Sequence, residues 1–187
     1  NLPVFMNGAG RGTLPPDHAH AYQLARRYAF NNADVIVIVG TPFDFRMGYG
    51  RRLRPEATVV QIDLDYRTVG KNRDIDLGLV GDVGVIMAAV AQAASAGKNG
   101  AGKRAGWLQE LRAEEDRLYE ERLPKIKSDA QPIHPLRLCY EINEFLTDDS
   151  VYIGDGGDIV TFSGGVVKPH CPGHWMDPGP LGTLGVG

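Results

Sequence analysis

Asp34-Val-Ile-Val-Ile-Val-Gly40 decides the fold. The run is short, wholly β-branched in its interior and bounded by breakers, which is the signature of a strand. Thr58-Val-Val-Gln-Ile-Asp-Leu64 repeats the pattern. Near-continuous apolar strands of this kind belong in a sheet buried on both faces. Pro3-Val-Phe-Met6 reads as the remnant of an earlier strand. Between them, Asp17 to Asn31 predicts a helix, with Tyr22, Ala25, Ala29 and Phe30 at helical spacing and Asp17 near its start. A second helix is expected after Asp82, through Val83, Ile86, Met87 and Val90. Alternating strands and helices imply parallel β/α units. The fold class is therefore α/β: a Rossmann-like parallel-sheet domain first, then the start of a second α/β domain.

Further along, Ala91 to Lys103 is rich in alanine, glycine, serine and lysine and reads as a surface crossing or linker. Trp107 to Leu123 is strongly charged, with Trp107, Leu111 and Leu118 on one side, as in a surface helix with a narrow buried stripe. Pro124 to Pro135 is expected to be a connecting segment. From Leu136 a helix should turn Leu138, Cys139, Ile142, Phe145 and Leu146 inward. Ser150-Val-Tyr-Ile-Gly154 is the next strand, ending in Asp155-Gly-Gly-Asp158.

Length and composition narrow the field. At 187 residues the chain holds one large domain, or one domain and part of another. A net charge of −3 and the absence of a clustered basic surplus argue against nucleic acid. The arginines 46, 51, 52 and 54 read as a solvated or anion-facing loop. No apolar stretch approaches the ~20 residues that span a bilayer, and no membrane association is expected. Cys139 and Cys171 stand at no motif spacing, so a disulfide framework is not indicated and an intracellular, cytoplasmic setting is expected. His170-Cys-Pro-Gly-His174 suggests a metal site superficially, but Pro-Gly kinks its middle and a loop is expected instead.

In open parallel sheets, ligands bind beyond the carboxyl ends of the strands, where turns present backbone N–H groups. The first half offers Gly8-Ala-Gly-Arg-Gly12, Gly40-Thr-Pro-Phe-Asp-Phe-Arg46, Asp63-Leu-Asp65 and Gly81-Asp82. Glycines let phosphates approach, arginines balance charge, and Asp63 could accept from ribose hydroxyls; equally, these are simply tight turns. The Gly8–Gly12 stretch is not a Gly-x-Gly-x-x-Gly fingerprint. The second half offers Gly154-Asp-Gly-Gly-Asp158 and Gly179-Pro-Leu-Gly-Thr-Leu-Gly185, two turns that could clasp one phosphate-bearing cofactor. Asp155 and Asp158 could meet a cation or an amine. The chain stops at Asp177-Pro-Gly-Pro-Leu-Gly-Thr-Leu-Gly-Val-Gly187, which reads as a larger protein cut within a functional motif.

Gly40-Thr-Pro-Phe-Asp-Phe-Arg46, Gln61-Ile-Asp-Leu-Asp65 with Val69-Gly70, Gly81-Asp82-Val83 and the Asp177–Gly187 run together resemble thiamine-diphosphate enzymes of the acetolactate synthase group. Arg11-Gly-Thr-Leu-Pro-Pro-Asp-His18 and Asp177-Pro-Gly are also similar to 2-hydroxyacyl-CoA lyase sequences. The resemblance covers essentially the whole chain in order. It implies a central domain over residues 1–130 and the start of the thiamine-diphosphate-binding domain over 131–187.

By position, Asp155, Gly156, Gly157 and Asp158 match one cofactor turn, and Gly182, Thr183 and Leu184 match the second. In the family, the carbonyl at the Gly182 position accepts from the aminopyrimidine, and the apolar side chain at Leu184 wedges beneath the cofactor and holds it bent. The family's flavin-binding members use turns that match Arg11, Gly12, Gly40, Thr41, Phe43, Asp44, Arg46, Asp63, Leu64, Asp82 and Val83. Pro42 stands where the flavin-binding synthases have an arginine, so FAD, ADP or an empty site are all open.

The resemblance implies decarboxylation of a 2-keto acid and its joining to a second carbonyl, in a homodimer or homotetramer. The activating glutamate and the Mg²⁺-binding Gly-Asp-Gly…Asn motif are not found in these residues, so the chain alone is expected to be inert and to bind thiamine diphosphate weakly. The alternatives are a C–C lyase of the 2-hydroxyacyl-CoA lyase or oxalyl-CoA decarboxylase type, a non-catalytic FAD- or ADP-binding module, and an NAD-dependent enzyme. Against the last, no Gly-x-Gly-x-x-Gly opens a helix.

Overall fold

The structure, a computed structural model, describes residues 2–96, 104–185 and 187. They form two compact units: Asn1–Arg26 with Trp107–Gly187, and Arg27–Gly106. In chain order the strands and α-helices are β1 (Val4–Phe5), β2 (Ala21–Tyr22), α1 (Arg26–Asn32), β3 (Val35–Val39), β4 (Thr58–Asp63), β5 (Leu77–Val80), α2 (Val83–Ala96), α3 (Ala105–Ile126), α4 (Pro135–Phe145), β6 (Tyr152–Ile153), α5 (Gly157–Ser163) and β7 (Trp175–Met176). The architecture is α/β, with every strand pair parallel.

In the Arg27–Gly106 unit, β3, β4 and β5 form one parallel sheet in that order. Val35 faces Thr58 and Val60 faces Leu77 in register. Ile36, Ile38 and Val59 pack with Phe43, Met47, Leu53 and Ala57, and Phe30, Ala33 and Ile75 close the cluster. The other face departs from the sequence reading. Val35 and Val37 are 58% and 48% exposed, so β3 alternates buried and exposed residues instead of burying both faces. α2 packs against β4. Asp82 starts α2: its Oδ1 accepts from the Val85 N–H at 2.9 Å. The helix runs to Ala96, so residues 91–96 of the expected linker are helical; 97–103 lie outside the described residues.

The other unit corrects the first helix. Nothing between Asp17 and Ala25 is helical, and Ala21–Tyr22 is instead a strand paired with Val4–Phe5. The reason is tertiary. Tyr22 donates its hydroxyl to the Leu108 carbonyl (3.2 Å), Arg112 donates to the Ala19 and Ala21 carbonyls, and the Arg112 guanidinium lies 4.3 Å over the Tyr22 ring. The Gln23, Leu24 and Ala25 N–H groups then all donate to the Glu115 carboxylate at 2.8–3.0 Å. Three backbone donors that an unbroken helix would have used internally are satisfied from α3.

α3 also continues beyond the expected end, so Pro124 lies inside its last turn and the connection to α4 is only 127–134. A proline so close to a helix end removes a single intrahelical bond. In α4, Leu136 and Cys139 are buried as an inward face demands, but Leu138 and Phe145 are exposed. These two residues lie outside the arc that faces Tyr152, Val167 and Trp175, the centre of this unit's core. The His170–His174 segment is a loop of bends and turns, with His170 Nδ1 2.8 Å from Asp148. No helix among the described residues is long and apolar enough to cross a membrane.

Candidate functional site

β6 and β7 are adjacent and parallel, with Tyr152 opposite Trp175, so the turns that follow them leave the same sheet edge. Gly154–Asp158 follows β6 and leads into α5; Asp177–Gly185 follows β7. The two turns meet. The Gly185 N–H donates to both oxygens of Asp155, at 2.8 and 3.0 Å. Gly156 has φ +72° and ψ −178°, a conformation nearly restricted to glycine. A Cβ there would stand 2.4 Å from Leu184 Cδ2, so the absence of a side chain is what lets Leu184 lie against the first turn. Gly182 ends a single 3₁₀ turn over Gly179–Leu181 in the left-handed region, at φ +61°. Leu184 remains 73% exposed at the lip. Asp158 opens α5 beside Gly157.

The start of the second turn is fixed from below. Asp177 Oδ2 accepts from the Trp175 indole Nε1 (2.7 Å) and Oδ1 from the Gly179 N–H (2.7 Å). Trp175 is only 2% exposed and lies 4.9 Å from the Tyr152 ring. The Arg11 guanidinium covers the indole at 4.5 Å, a cation–π arrangement. Burial, with Arg26 adding repulsion, pushes Arg11 down to about 10 against the pull of Asp177. Arg11 and Gly12, assigned by resemblance to a nucleotide, thus stand against β7 and the loop before it. Gly12, at φ +85°, packs on the Cys171 carbonyl.

The remaining nucleotide candidates belong to the Arg27–Gly106 unit. Gly40 follows β3 and donates to the Ile62 carbonyl at 2.9 Å. Thr41 Oγ1 turns back to the Val39 carbonyl. Phe43 is buried, and Asp44 and Arg46 form a forked pair at 2.7–3.2 Å. Burial raises the Asp44 carboxyl, but the hydrogen bonds from Arg46 outweigh it and hold the group below its ordinary value. Asp63 accepts from the Asp65 N–H, Leu64 is exposed, and Asp82 and Val83 begin α2.

Gln61, quoted in the sequence only as part of the Gln61–Asp65 motif and given no role there, organises this edge. Its fully buried amide accepts from the Gly70 N–H at 2.8 Å and reaches the Thr41 carbonyl at 3.5 Å. Its signal was a polar residue at an inward position of an apolar strand, where an unpaired amide would be costly. Among the described residues, no three His, Cys, Asp or Glu side chains form a group able to hold a metal ion.

Residues 1–90 match the family model described as the thiamine pyrophosphate enzyme central domain. A probable acetolactate synthase of Mycobacterium bovis is 33% identical over 187 residues, all of this chain and 33% of the relative. The acetolactate synthase large subunit IlvG of Mycobacterium tuberculosis matches to the same extent. The human protein named 2-hydroxyacyl-CoA lyase 2 is 34% identical over 192 residues, all of this chain and 30% of that protein. The chain spans about a third of the length of the curated relatives it matches. The family model over residues 1–90 and these relatives along the whole chain support a thiamine-diphosphate-dependent, acetolactate-synthase-like family.

Proposed function

We propose that the chain supplies part of a thiamine-diphosphate-dependent enzyme of acetolactate synthase type, which decarboxylates a 2-keto acid and joins the product to a second carbonyl. The observation that carries this reading is the meeting of the two glycine turns at the ends of β6 and β7. Their residues fit the cofactor. Apart from the local backbone, no atom of the described residues comes within 4 Å of where a Cβ would stand at positions 157 and 182, which leaves room for a ligand, and Leu184 is exposed beside them. Asp155, Gly156, Gly157, Asp158, Gly182, Thr183 and Leu184 would hold it. Bound thiamine diphosphate supplies the electron sink for breaking a carbon–carbon bond beside a carbonyl. The chain's own part is orientation: the Gly182 backbone and the Leu184 side chain fix the pose, and a preorganised pose is worth several kcal/mol of barrier.

Residues 1–130 would serve as the central domain and 131–187 would begin the cofactor domain, with Mg²⁺ ligands supplied by other residues. If the central domain holds FAD or ADP and is not empty, the nucleotide would lie along the turns at Gly40–Arg46, Asp63-Leu64 and Asp82-Val83, and the working assembly would be a cytoplasmic homodimer or homotetramer.

Titration with thiamine diphosphate and Mg²⁺ followed by amide NMR tests the cofactor site. Shifts confined to 154–158 and 179–185 at weak, sub-millimolar-or-poorer affinity are expected; unmoved amides in both turns at saturating ligand would sink the reading. A second reading, a 2-hydroxyacyl-CoA lyase, is favoured by one observation: relatives so named match at 31–35% identity, level with the synthases. A chimera in which these 187 residues replace the matching third of the mycobacterial synthase separates the two. Retained acetolactate formation from pyruvate favours the synthase, and gained cleavage of a 2-hydroxyacyl-CoA favours the lyase.

A further inference from the structure

The Asp177–Gly185 turn presents its middle, Leu181 to Leu184, to solvent, with Leu181 and Leu184 both exposed. An exposed glycine-rich segment ordinarily moves on the fast timescale, because few buried contacts oppose its conformational entropy. Here both ends carry a carboxylate. At the entry, Asp177 bridges a buried indole and the Gly179 N–H with its two oxygens. At the exit, Asp155 receives the Gly185 N–H on both oxygens, across 30 residues of chain.

Neither end rests on mobile support. Trp175 packs against Tyr152 and Arg11, and Asp155 comes one residue after Gly154, whose N–H donates to the Met176 carbonyl at 2.9 Å just past the paired strand β6. Charge-assisted bonds to backbone N–H groups are stronger than neutral ones. Fixing both ends leaves the intervening residues few ways to move, and it sets Leu184 against Gly156.

We infer that Asp155 and Asp177 are positioning residues, which act through the Gly185 and Gly179 N–H groups to hold the exposed middle of the turn rigid for its ligand. The ligand part of this rests on the thiamine-diphosphate reading above; the rigidity part does not. Asp155, by this assignment, spends its carboxylate on the protein backbone and not on a cation.

The test is ¹⁵N relaxation on the full chain, free of ligand, in the parent and in Asp155→Ala, Asp177→Ala and Asp177→Asn. In the parent, the amides of Leu181, Thr183 and Leu184 should show order parameters near those of rigid backbone, about 0.85. In each alanine variant they should fall below about 0.6, while Tyr152 and Gly154 stay rigid. Asp177→Asn, which keeps one acceptor oxygen, should fall between. A turn already mobile in the parent overturns the inference, as does a turn that stays rigid in both alanine variants. Loss of order that spreads to Tyr152 and Gly154 in Asp155→Ala also overturns it, because the carboxylate would then be supporting the sheet. Asp155 is exposed, so that variant remains folded and decisive even where Asp177→Ala does not. Because no cofactor is added, this experiment and the thiamine diphosphate titration fail independently.

Discussion

At the scale of single residues, two glycines show how the same substitution costs different amounts. Gly156→Ala must place a Cβ 2.4 Å from the end of an exposed, movable leucine, in a backbone region that only glycine occupies comfortably. Leu184 can swing away, so the backbone strain dominates and the expected loss is about 1–3 kcal/mol. Gly12→Ala meets the Cys171 carbonyl oxygen at 2.1 Å, and a backbone atom cannot swing aside. Its loss should exceed that of Gly156→Ala in urea unfolding; the reverse order would show that the Gly12 turn relaxes freely. Asp44 gives a pH signature. Its folded pKa is depressed from 3.8, so its contribution is complete above the unfolded value and fades as pH falls through the folded one. Asp44→Asn should cost about 1 kcal/mol at pH 7, discounted for partial exposure, and the gap to the parent should close below about pH 4. A gap that is constant from pH 7 to pH 3 would remove the carboxylate from the account.

At the scale of elements, the strands were legible, and of the helix expected over Asp17 to Asn31 only the part from Arg26 onward formed. Val35–Val39 and Thr58–Asp63 lie within a residue of where their β-branched runs predicted them, because strand preference there is local and strong. The segment from Asp17 to Ala25 has helical spacing, yet Glu115, about 90 residues away, takes three of its N–H groups. No window of sequence short enough to show periodicity contains that carboxylate. The exposed face of β3 was illegible for a related reason: an apolar run records what the chain can bury, not what covers it. The two candidate turns were legible as glycine-rich strand ends, but Trp175 and Asp177, which fix the second one, became visible only through their hydrogen bonds. Glu115→Gln keeps one acceptor oxygen, whereas Glu115→Ala leaves three partly buried donors unmatched. The alanine variant should therefore lose about 2–3 kcal/mol and the glutamine variant less than half of that. Equal losses in denaturant melts would mean that water replaces the carboxylate without penalty.

At the scale of the whole chain, the two cysteines report on folding from opposite sides. Cys171 is exposed in the loop before β7. Cys139 is fully buried on α4 among Leu136, Tyr152 and Trp175, and burial pushes its thiol above the ordinary value. A thiol reagent attacks the thiolate, so Cys139 is protected both by access and by ionisation. Its modification must wait for opening of the core, and a domain stable by about 5–15 kcal/mol opens rarely. Ellman's reagent in native buffer should therefore titrate one fast equivalent, assigned to Cys171 by its loss in Cys171→Ser. The second should appear only with denaturant, along the same transition as tryptophan fluorescence, because Trp175 shares that core. The coincidence is the stronger part of the prediction: it requires that α4, β6 and β7 open as one cooperative unit. Two fast equivalents in native buffer would show that this core does not hold by itself. Cys139 labelling well before the fluorescence transition would show that α4 detaches from the strands that carry the candidate site.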